Sequence, residues 1–318
     1  MRSAIRLLAV VLSVCLCLAA LAGCAALLPQ TGKLRIVASS FPPYDFARAA
    51  AGDLAEVTML LPPAAESHSF EPTPQDILRI RHCDVFIYVG GESDEWVRGI
   101  LDSMDTAHMQ IVTLMDCVEA VEEESVAGME AEQEEDNESL ALPEYDEHVW
   151  TAPRNAAMIT QKIAAALCLA DAENAATYQS NAAAYTVQLD ALDAKLRKIT
   201  AQGQRKTIVF GDRFPFRYFA ESYGLSYYAA FRGCSTETEA SPYTVGFLIE
   251  IIKKENIPVV FCIELSDQRM AEMIADNTGA KVLRLHSCHN LSKADFAAGK
   301  TYLDFMEENA AALQEALG

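Results

Sequence analysis

The sequence predicts an α/β protein with two lobes, each a mostly parallel sheet flanked by helices, joined by one long rigid backbone helix. Short apolar strands alternate with helices in two separate blocks of the chain, a pattern typical of parallel sheets covered on both faces. Between the blocks, residues 172–202 contain neither Gly nor Pro. Parallel sheets bind ligands at the carboxyl ends of their strands, so we expect functional residues in the loops that follow.

The first block is predicted to contain four strands and three helices. Its strands are short apolar runs at residues 34–38, 57–61, 85–89 and 111–114. Its helices lie between and beside these strands, near residues 44–51, 74–81 and 94–104.

The second block repeats the same alternation. Its predicted strands lie at residues 207–210, 226–230, 259–263 and 282–285. Its predicted helices lie near residues 215–223, 243–255 and 268–277.

The connector between the blocks carries a single apolar stripe. Its members are spaced alternately four and three residues apart, namely Tyr178, Ala182, Tyr185, Leu189, Leu192, Leu196 and Ile199. This spacing predicts one helix of roughly 30 residues, about 45 Å long. The stripe could face a coiled-coil partner, but a strand-rich block at each end favours a backbone helix within the chain.

Composition excludes several classes of protein. The 318 residues include 25 Lys and Arg against 45 Asp and Glu, a formal net charge of −20. Nucleic acid is therefore not an expected partner, because phosphate binding depends on clustered basic residues. Hydrophobic residues make up 51% of the chain, which excludes global disorder.

The N-terminus has the features of a secretory signal. Arg2 and Arg6 precede an apolar stretch that ends in Leu-Ala-Gly-Cys at Cys24, and this order is typical of an exported protein. The ending resembles the lipobox of bacterial lipoproteins, which implies cleavage before Cys24 and acylation of that residue. Several buried acyl chains would hold the protein on a bilayer, so we expect it at the outer face of the cytoplasmic membrane or in the periplasm.

Residues 116–147 form an acidic segment with 14 Asp and Glu and no Lys or Arg. Such a run repels itself, which predicts a disordered surface loop. It would serve either to solubilise the protein or to collect divalent cations weakly. The predicted organisation is a signal peptide at 1–23, a tether at 24–32, an N-terminal lobe at 33–171, a linking helix at 172–203 and a C-terminal lobe at 204–318.

Six cysteines remain after the signal and the lipid site are set aside. They show no CxxC pairing, so a structural zinc knuckle is not expected. In an oxidising compartment we expect a disulfide among Cys234, Cys262 and Cys288, whose connectivity the sequence leaves open.

Histidines mark the candidate metal site. His68 follows a predicted strand, His148 precedes a helix, and His286 and His289 follow another strand. Three separate loops thus bring imidazoles to comparable positions, and imidazole is the commonest metal ligand. A shared metal site is therefore predicted, whereas His82 and His108 are expected at the surface.

The sequence does not indicate an enzyme. It contains no Gly-x-Ser-x-Gly elbow, Walker loop or His-Glu-x-x-His motif. Cys288 lies between two histidines, but residues one or two positions apart on an extended chain do not readily face each other, so a thiol catalyst is not expected.

Two motifs resemble a known family, the zinc/manganese solute-binding lipoproteins of ABC transporters. They are His-Ser-Phe-Glu-Pro-Thr-Pro from His68 and Asp-Glu-His-Val-Trp-Thr-Ala-Pro-Arg-Asn around His148. The resemblance implies a metal held in the cleft between two lobes, with His68 and His148 as ligands. It also implies an ABC permease and its ATPase subunits as partners, and a monomer.

The C-terminal lobe departs from the family pattern. Arg213 stands at or beside the position of a usual His ligand, and an Arg guanidinium cannot ligate a metal. The resemblance therefore implies Asp212 as a substitute and His286 at the position of the family's late Asp, with His289 and Glu264 in reserve.

We accordingly predict a solute-binding protein that captures Zn²⁺ rather than Mn²⁺ through His68, His148, Asp212 and His286. The first alternative is a two-lobed receptor for an iron chelate or haem, whose wider cleft would use Arg213, Arg217 and Tyr218. The second alternative is a zinc-dependent hydrolase.

Overall fold

Two four-stranded parallel sheets organise the part of the chain that the structure, a computed structural model, describes: residues 32–130, 144–235 and 239–318. The first sheet has the order β2-β1-β3-β4, and the second has the order β6-β5-β7-β8. The strands are β1 (Leu34–Ala38), β2 (Ala55–Met59), β3 (Val85–Tyr88), β4 (Gln110–Thr113), β5 (Thr207–Phe214), β6 (Ser226–Arg232), β7 (Val259–Cys262) and β8 (Lys281–Arg284). The predicted fold class is confirmed.

Helices cover the sheets. They are α1 (Phe41–Ala51), α2 (Pro74–Arg81), α3 (Glu95–Asp102), α4 (Pro153–Ala170), α5 (Ala175–Gln202), α6 (Arg217–Tyr223), α7 (Pro242–Glu255), α8 (Arg269–Thr278), α9 (Lys293–Ala298) and α10 (Tyr302–Leu317). Central strands such as β7 are buried along their whole length, as expected for a parallel sheet with helices on its faces.

The long connecting helix is α5, and a short 3₁₀ turn at Ala172–Asn174 precedes it. All seven members of the predicted apolar stripe are buried. They pack against α1, α4 and α10 of the same chain, so the stripe is covered without a coiled-coil partner. One continuous hydrophobic core contains residues of both sheets, such as Ile36 and Phe210.

Strand β5 is longer than predicted and runs on to Phe214. Its pairing with β6 is irregular between Phe210 and Arg213. A local irregularity of this kind bends a strand and re-aims the side chains that follow. It places Arg213 in the cleft described below.

The described parts of the acidic segment pack against the second sheet, unlike the disordered loop that its charge predicts. The backbone N–H of Glu130 donates to the carbonyl of Ala230 at 2.9 Å, and Arg232 pairs with Glu144 at 2.8 Å. Burial and the nearby Asp146 raise the pKa of Glu123 to about 8. The ion pair with Arg232 and the protonation of Glu123 thus reduce the repulsion among the acidic side chains of this segment. Residues 131–143 lie outside the described residues.

Two further expectations concern covalent and membrane features. The cysteines in the described ranges are all free, so the disulfide expected among Cys234, Cys262 and Cys288 does not form. No helix among the described residues combines the length and the apolar character needed to cross a bilayer. The signal and Cys24 lie outside the described residues.

Candidate metal centre

Four side chains from three loops meet in one cleft. They are His68, Glu147, His148 and His289, and each offers a ligand atom within 4.8 Å of every other. The first three come from the N-terminal part of the chain and the last from the loop after β8. Three imidazoles and one carboxylate are the donor types that zinc prefers in proteins.

His68 lies in the loop between β2 and α2, and its Nδ1 is 3.1 Å from the hydroxyl of Ser93. The Ser93 hydroxyl has one proton, which it donates to Oε1 of Glu147. The hydroxyl must therefore accept from Nδ1–H of His68. This tautomer leaves the Nε2 lone pair of His68 free to bind a metal.

Glu147 is fully buried and is held by the turn at Glu92–Asp94. The backbone N–H of Ser93 donates to Oε2 at 2.9 Å. A Cβ at Gly91 would lie 2.2 Å from the same oxygen, so a side chain at that position would displace the carboxylate. Glycine at residue 91 is required by this close approach.

His148 is buried and is oriented by the preceding Asp146. Both its backbone N–H, at 2.6 Å, and its Nδ1, at 3.1 Å, contact the same carboxylate oxygen. Because a carboxylate only accepts, Nδ1 carries the proton and Nε2 is the available donor atom. Carboxylate partners of this kind fix the tautomer of a metal-binding histidine. A Cβ at Gly233 would lie 3.2 Å from Cε1 of His148.

His289 is directed into the cleft by the turn after β8. Cys288 adopts a positive φ of 63°, and Glu264 accepts from the backbone N–H groups of Ser287 at 2.7 Å and His289 at 3.1 Å. Nε2 of His289 is buried and has no hydrogen-bond partner within the described ranges. A buried nitrogen without a partner is costly, and a bound cation would satisfy it.

The loops that carry His68 and His289 bind directly to each other. The side-chain amide of Asn290 donates to the carbonyls of Pro62 at 2.9 Å and Ala65 at 2.8 Å. The N–H of Ala64 donates to the carbonyl of Leu291 at 2.8 Å. The two sides of the site are therefore held in a fixed relation.

Trp150 forms the floor of the site. Its ring meets those of His148 and His289 edge-on, with centroid separations of 5.4 and 5.1 Å. Its Nε1 donates to the carbonyl of Ser287 at 2.7 Å, and the hydroxyl of Tyr302 donates to its carbonyl at 2.8 Å. The indole thus shields the imidazoles from water and ties both halves of the chain together.

The electrostatic surroundings keep two of the three imidazoles neutral. Burial lowers the pKa of His68, and burial with the neighbouring His148 and His68 lowers that of His289 well below its usual value. Burial also acts to lower the pKa of His148, but the carboxylates of Asp146 and Glu147 outweigh it and raise the pKa. Neutral imidazole is the metal-binding form.

Asp212 and His286, which the family resemblance implied as ligands, lie outside this cluster of described residues. Asp212 accepts from the backbone N–H groups of Arg213 at 2.8 Å and Ile263 at 3.1 Å. The ring of His286 stacks on Phe305 with centroids 3.8 Å apart, and its Nδ1 accepts from the N–H of Cys288 at 3.0 Å. Both side chains therefore hold the loops of the C-terminal half.

The reserve residue His289 joins the cluster, whereas Glu264 supports the loop that carries it. Glu147 was not singled out from the sequence, since it was one of 14 acids in the acidic segment. In the sequence, Glu147 differs from those other acids in that it directly precedes His148, within the motif that resembles the family.

The residues that would serve an iron chelate or haem are mostly engaged elsewhere. Arg217 pairs with Glu124 at 3.3 Å and with Glu221 at 3.2 Å. The hydroxyl of Tyr218 donates to the carbonyl of Asp146 at 2.7 Å. Of this set only Arg213 lines the cleft, which favours a small cation over a large chelate.

The family of the chain follows from its match to a family model. The model of ZnuA, zinc-uptake complex component A, periplasmic, matches residues 36–316. The chain belongs to this family. ZnuA-family proteins are zinc-binding components of zinc uptake, a transport class and not an enzyme class.

Two relatives are each 30% identical to this chain over the residues that align. The zinc-binding lipoprotein AdcA of Streptococcus pneumoniae is 30% identical over 301 residues, which cover 94% of this chain and 59% of AdcA. The high-affinity zinc uptake system protein ZnuA of Bacillus subtilis is 30% identical over 287 residues, which cover 90% of this chain and 88% of ZnuA. The chain thus spans little more than half of the longer AdcA.

Solved structures show the same fold. The Zn(II)-bound ZnuA-like domain of S. pneumoniae AdcA superposes with a TM-score of 0.73 at 29% identity, covering 90% of this chain and 99% of that domain. The metal-dependent lipoprotein YcdH of B. subtilis superposes with a TM-score of 0.75 at 28% identity, again covering 90% and 99%.

Proposed function

We propose that this chain captures Zn²⁺ outside the cytoplasm through His68, Glu147, His148 and His289 and delivers it to an ABC permease. The observation that carries the proposal is the cluster itself, whose ligand atoms all lie within 4.8 Å of one another. Three imidazoles and one carboxylate complete a tetrahedral shell. Such a shell leaves no open position for an activated water, which suits a transported ion rather than a hydrolase.

The donor set favours zinc over manganese. Imidazole suits zinc, whereas manganese favours oxygen ligands and octahedral coordination. Only one of the four proposed ligands supplies oxygen.

The site is tested by measuring the zinc affinity of the protein comprising residues 24–318, in competition with a chromophoric chelator. We expect His68→Ala, His148→Ala and His289→Ala each to weaken zinc binding by more than the roughly 10–100-fold that loss of an outer partner costs. His108→Ala is the matched control, because that exposed histidine lies outside the cleft and its Nε2 is hydrogen-bonded to the carbonyl of Arg81. Unchanged affinity in the first three variants would refute the assignment.

We also propose that the chain is anchored by lipid at Cys24 after removal of residues 1–23, and that it acts as a monomer. The Leu-Ala-Gly-Cys ending supports the anchor. Cys24→Ser is expected to abolish incorporation of radiolabelled palmitate. Continued labelling of this variant would contradict the anchor.

Delivery to a permease is tested in cells. We consider a bacterial strain that lacks its own zinc-binding protein for uptake. When it expresses this chain with the cognate permease, it should regain growth in medium that contains a zinc chelator. The His289→Ala variant should not restore growth, whereas the His108→Ala variant should. Equal rescue by both variants would show that transport does not depend on the proposed site.

A further inference from the structure

An ion pair spans the cleft beside the metal centre. Arg213 of β5 donates from its two terminal nitrogens to the carboxylate of Glu66 at 3.4 and 3.2 Å. Glu66 lies two residues before His68. The side chain of Arg213 is 18% exposed and that of Glu66 is 49% exposed, so the cation faces inward and its partner faces solvent.

Arg213 is fixed in this position by a second contact. Its Nη1 also donates to the carbonyl of Ser235 at 3.2 Å. The guanidinium lines the same cleft as His68, His148 and His289. A permanent positive charge is therefore held at the edge of a site whose donor atoms are suited to a cation.

The guanidinium lies close enough to act on an ion bound in the cleft. Arg213 and Glu66 line the same cleft as His68, His148 and His289. A fixed positive charge at this position repels a divalent cation, and the Coulomb energy scales with the charge of the ion. Glu66, which is an anion paired with Arg213, acts in the opposite direction.

We propose that Arg213 is an affinity-setting residue that weakens the hold of the site on its metal ion, and that Glu66 offsets this repulsion. The inference rests on the proposed function. A cation held next to a like charge is released more readily when Glu66 is drawn away from Arg213. The pair thus gives a transport protein a means to release an ion from a shell of four strong ligands.

A purely structural role for the pair leads to the opposite expectation. If the pair serves only to hold the two sides of the cleft together, loss of either partner loosens the site and weakens metal binding. If Arg213 repels the cation, its neutralisation strengthens binding and loss of Glu66 weakens it. The sign of the change in affinity at Arg213 therefore separates the two roles.

Competition titration with Zn²⁺ at low ionic strength tests the proposal. We expect Arg213→Gln to tighten zinc binding by about fivefold or more, and Glu66→Gln to weaken it by about threefold or more. Arg213→Lys, which keeps the charge, should remain close to the wild type. Arg81→Gln, which removes an exposed charge at the end of α2, should change the affinity little.

The salt dependence gives a second measure. The difference in zinc affinity between the wild type and Arg213→Gln should decrease towards 1 M salt, where the Debye length is about 3 Å. Weaker or unchanged binding by Arg213→Gln, or tighter binding by Glu66→Gln, would overturn the proposal. If Arg213→Gln fails to fold, the salt dependence of Glu66→Gln decides: the proposal expects its zinc affinity to approach that of the wild type towards 1 M salt, and a loss of affinity that persists there would overturn it. Absence of zinc binding in the wild type would instead refute the proposed function.

Discussion

The hydroxyl of Ser93 lies 3.1 Å from Nδ1 of His68, and through it the turn after β3 controls the orientation of that imidazole. The same residue holds both oxygens of Glu147, one through its backbone N–H and one through its hydroxyl. Ser93 thus orients two of the four proposed ligands without being a ligand itself. Partners of this kind fix ligand geometry and tautomer.

Replacement of Ser93 is the first prediction. Ser93→Ala removes the acceptor for His68 and one donor to Glu147, so zinc affinity should fall by about 10–100-fold. Ser103→Ala is the control, because that exposed hydroxyl lies outside the site and donates to the carbonyl of Ile100. Equal affinities of the two variants in a competition titration would show that Ser93 does not position the ligands.

The pH dependence of binding is the second prediction. Protonation of an imidazole competes with the metal, and His148 protonates first because its pKa is raised. Zinc affinity should therefore begin to fall at a pH above 6.5, the usual pKa of a free imidazole. Asp146→Asn removes an anion that raises this pKa, so the onset of the fall should move to lower pH. An unchanged or higher onset in titrations at several pH values would contradict this account.

The third prediction concerns stability. Burial raises the pKa of Asp45 to about 6, although the N–H of Tyr302 donates to it at 2.9 Å. Between about pH 4 and 6 the native state binds more protons at this residue than the unfolded state, so its contribution to the free energy of unfolding decreases as the pH rises. Over this range the loss amounts to about 2–3 kcal/mol.

Asp45→Asn keeps an acceptor for Tyr302 and removes the charge. Its stability relative to the wild type should therefore increase from pH 4 to pH 6.5, as measured by thermal unfolding of the metal-free protein. A difference between the two proteins that does not change with pH would show that Asp45 is ionised in the folded state without penalty.

Metal preference is the fourth prediction. His289→Asp replaces an imidazole by a carboxylate and adds a second oxygen donor to the shell. We expect the preference for zinc over manganese to narrow by about tenfold or more, since oxygen donors favour manganese. His286→Asp is the matched comparison and should leave the preference unchanged. An equal decrease in the preference for zinc over manganese in both variants would indicate that His286 is also a ligand.

The fold and two of the four proposed ligands could be predicted because local patterns determine them. The stripe from Tyr178 to Ile199 predicts α5, since only a helix places residues four and three positions apart on one face. His68 and His148 were predicted because each lies in a loop next to a recognisable strand or helix. Their motifs also resemble those of the family.

The positions of the other two proposed ligands depend on features that the sequence does not display. Strand β8 ends at Arg284, and the left-handed φ of Cys288 reverses the chain, so His289 faces the cleft while His286 packs on Phe305. Non-glycine residues seldom adopt this conformation, and the sequence around Cys288 has no turn motif that would predict it. Glu147 is buried by its contacts with Ser93, which tertiary structure alone provides.

The central claim is that three imidazoles and Glu147 bind the ion, and a zinc-bound crystal structure measured at the zinc absorption edge tests it most directly. The account predicts one anomalous peak about 2.0–2.1 Å from Nε2 of His68, His148 and His289, and about 2.0–2.2 Å from an oxygen of Glu147. A peak coordinated by Asp212, Glu264 or His286 in place of His289 and Glu147 would contradict it.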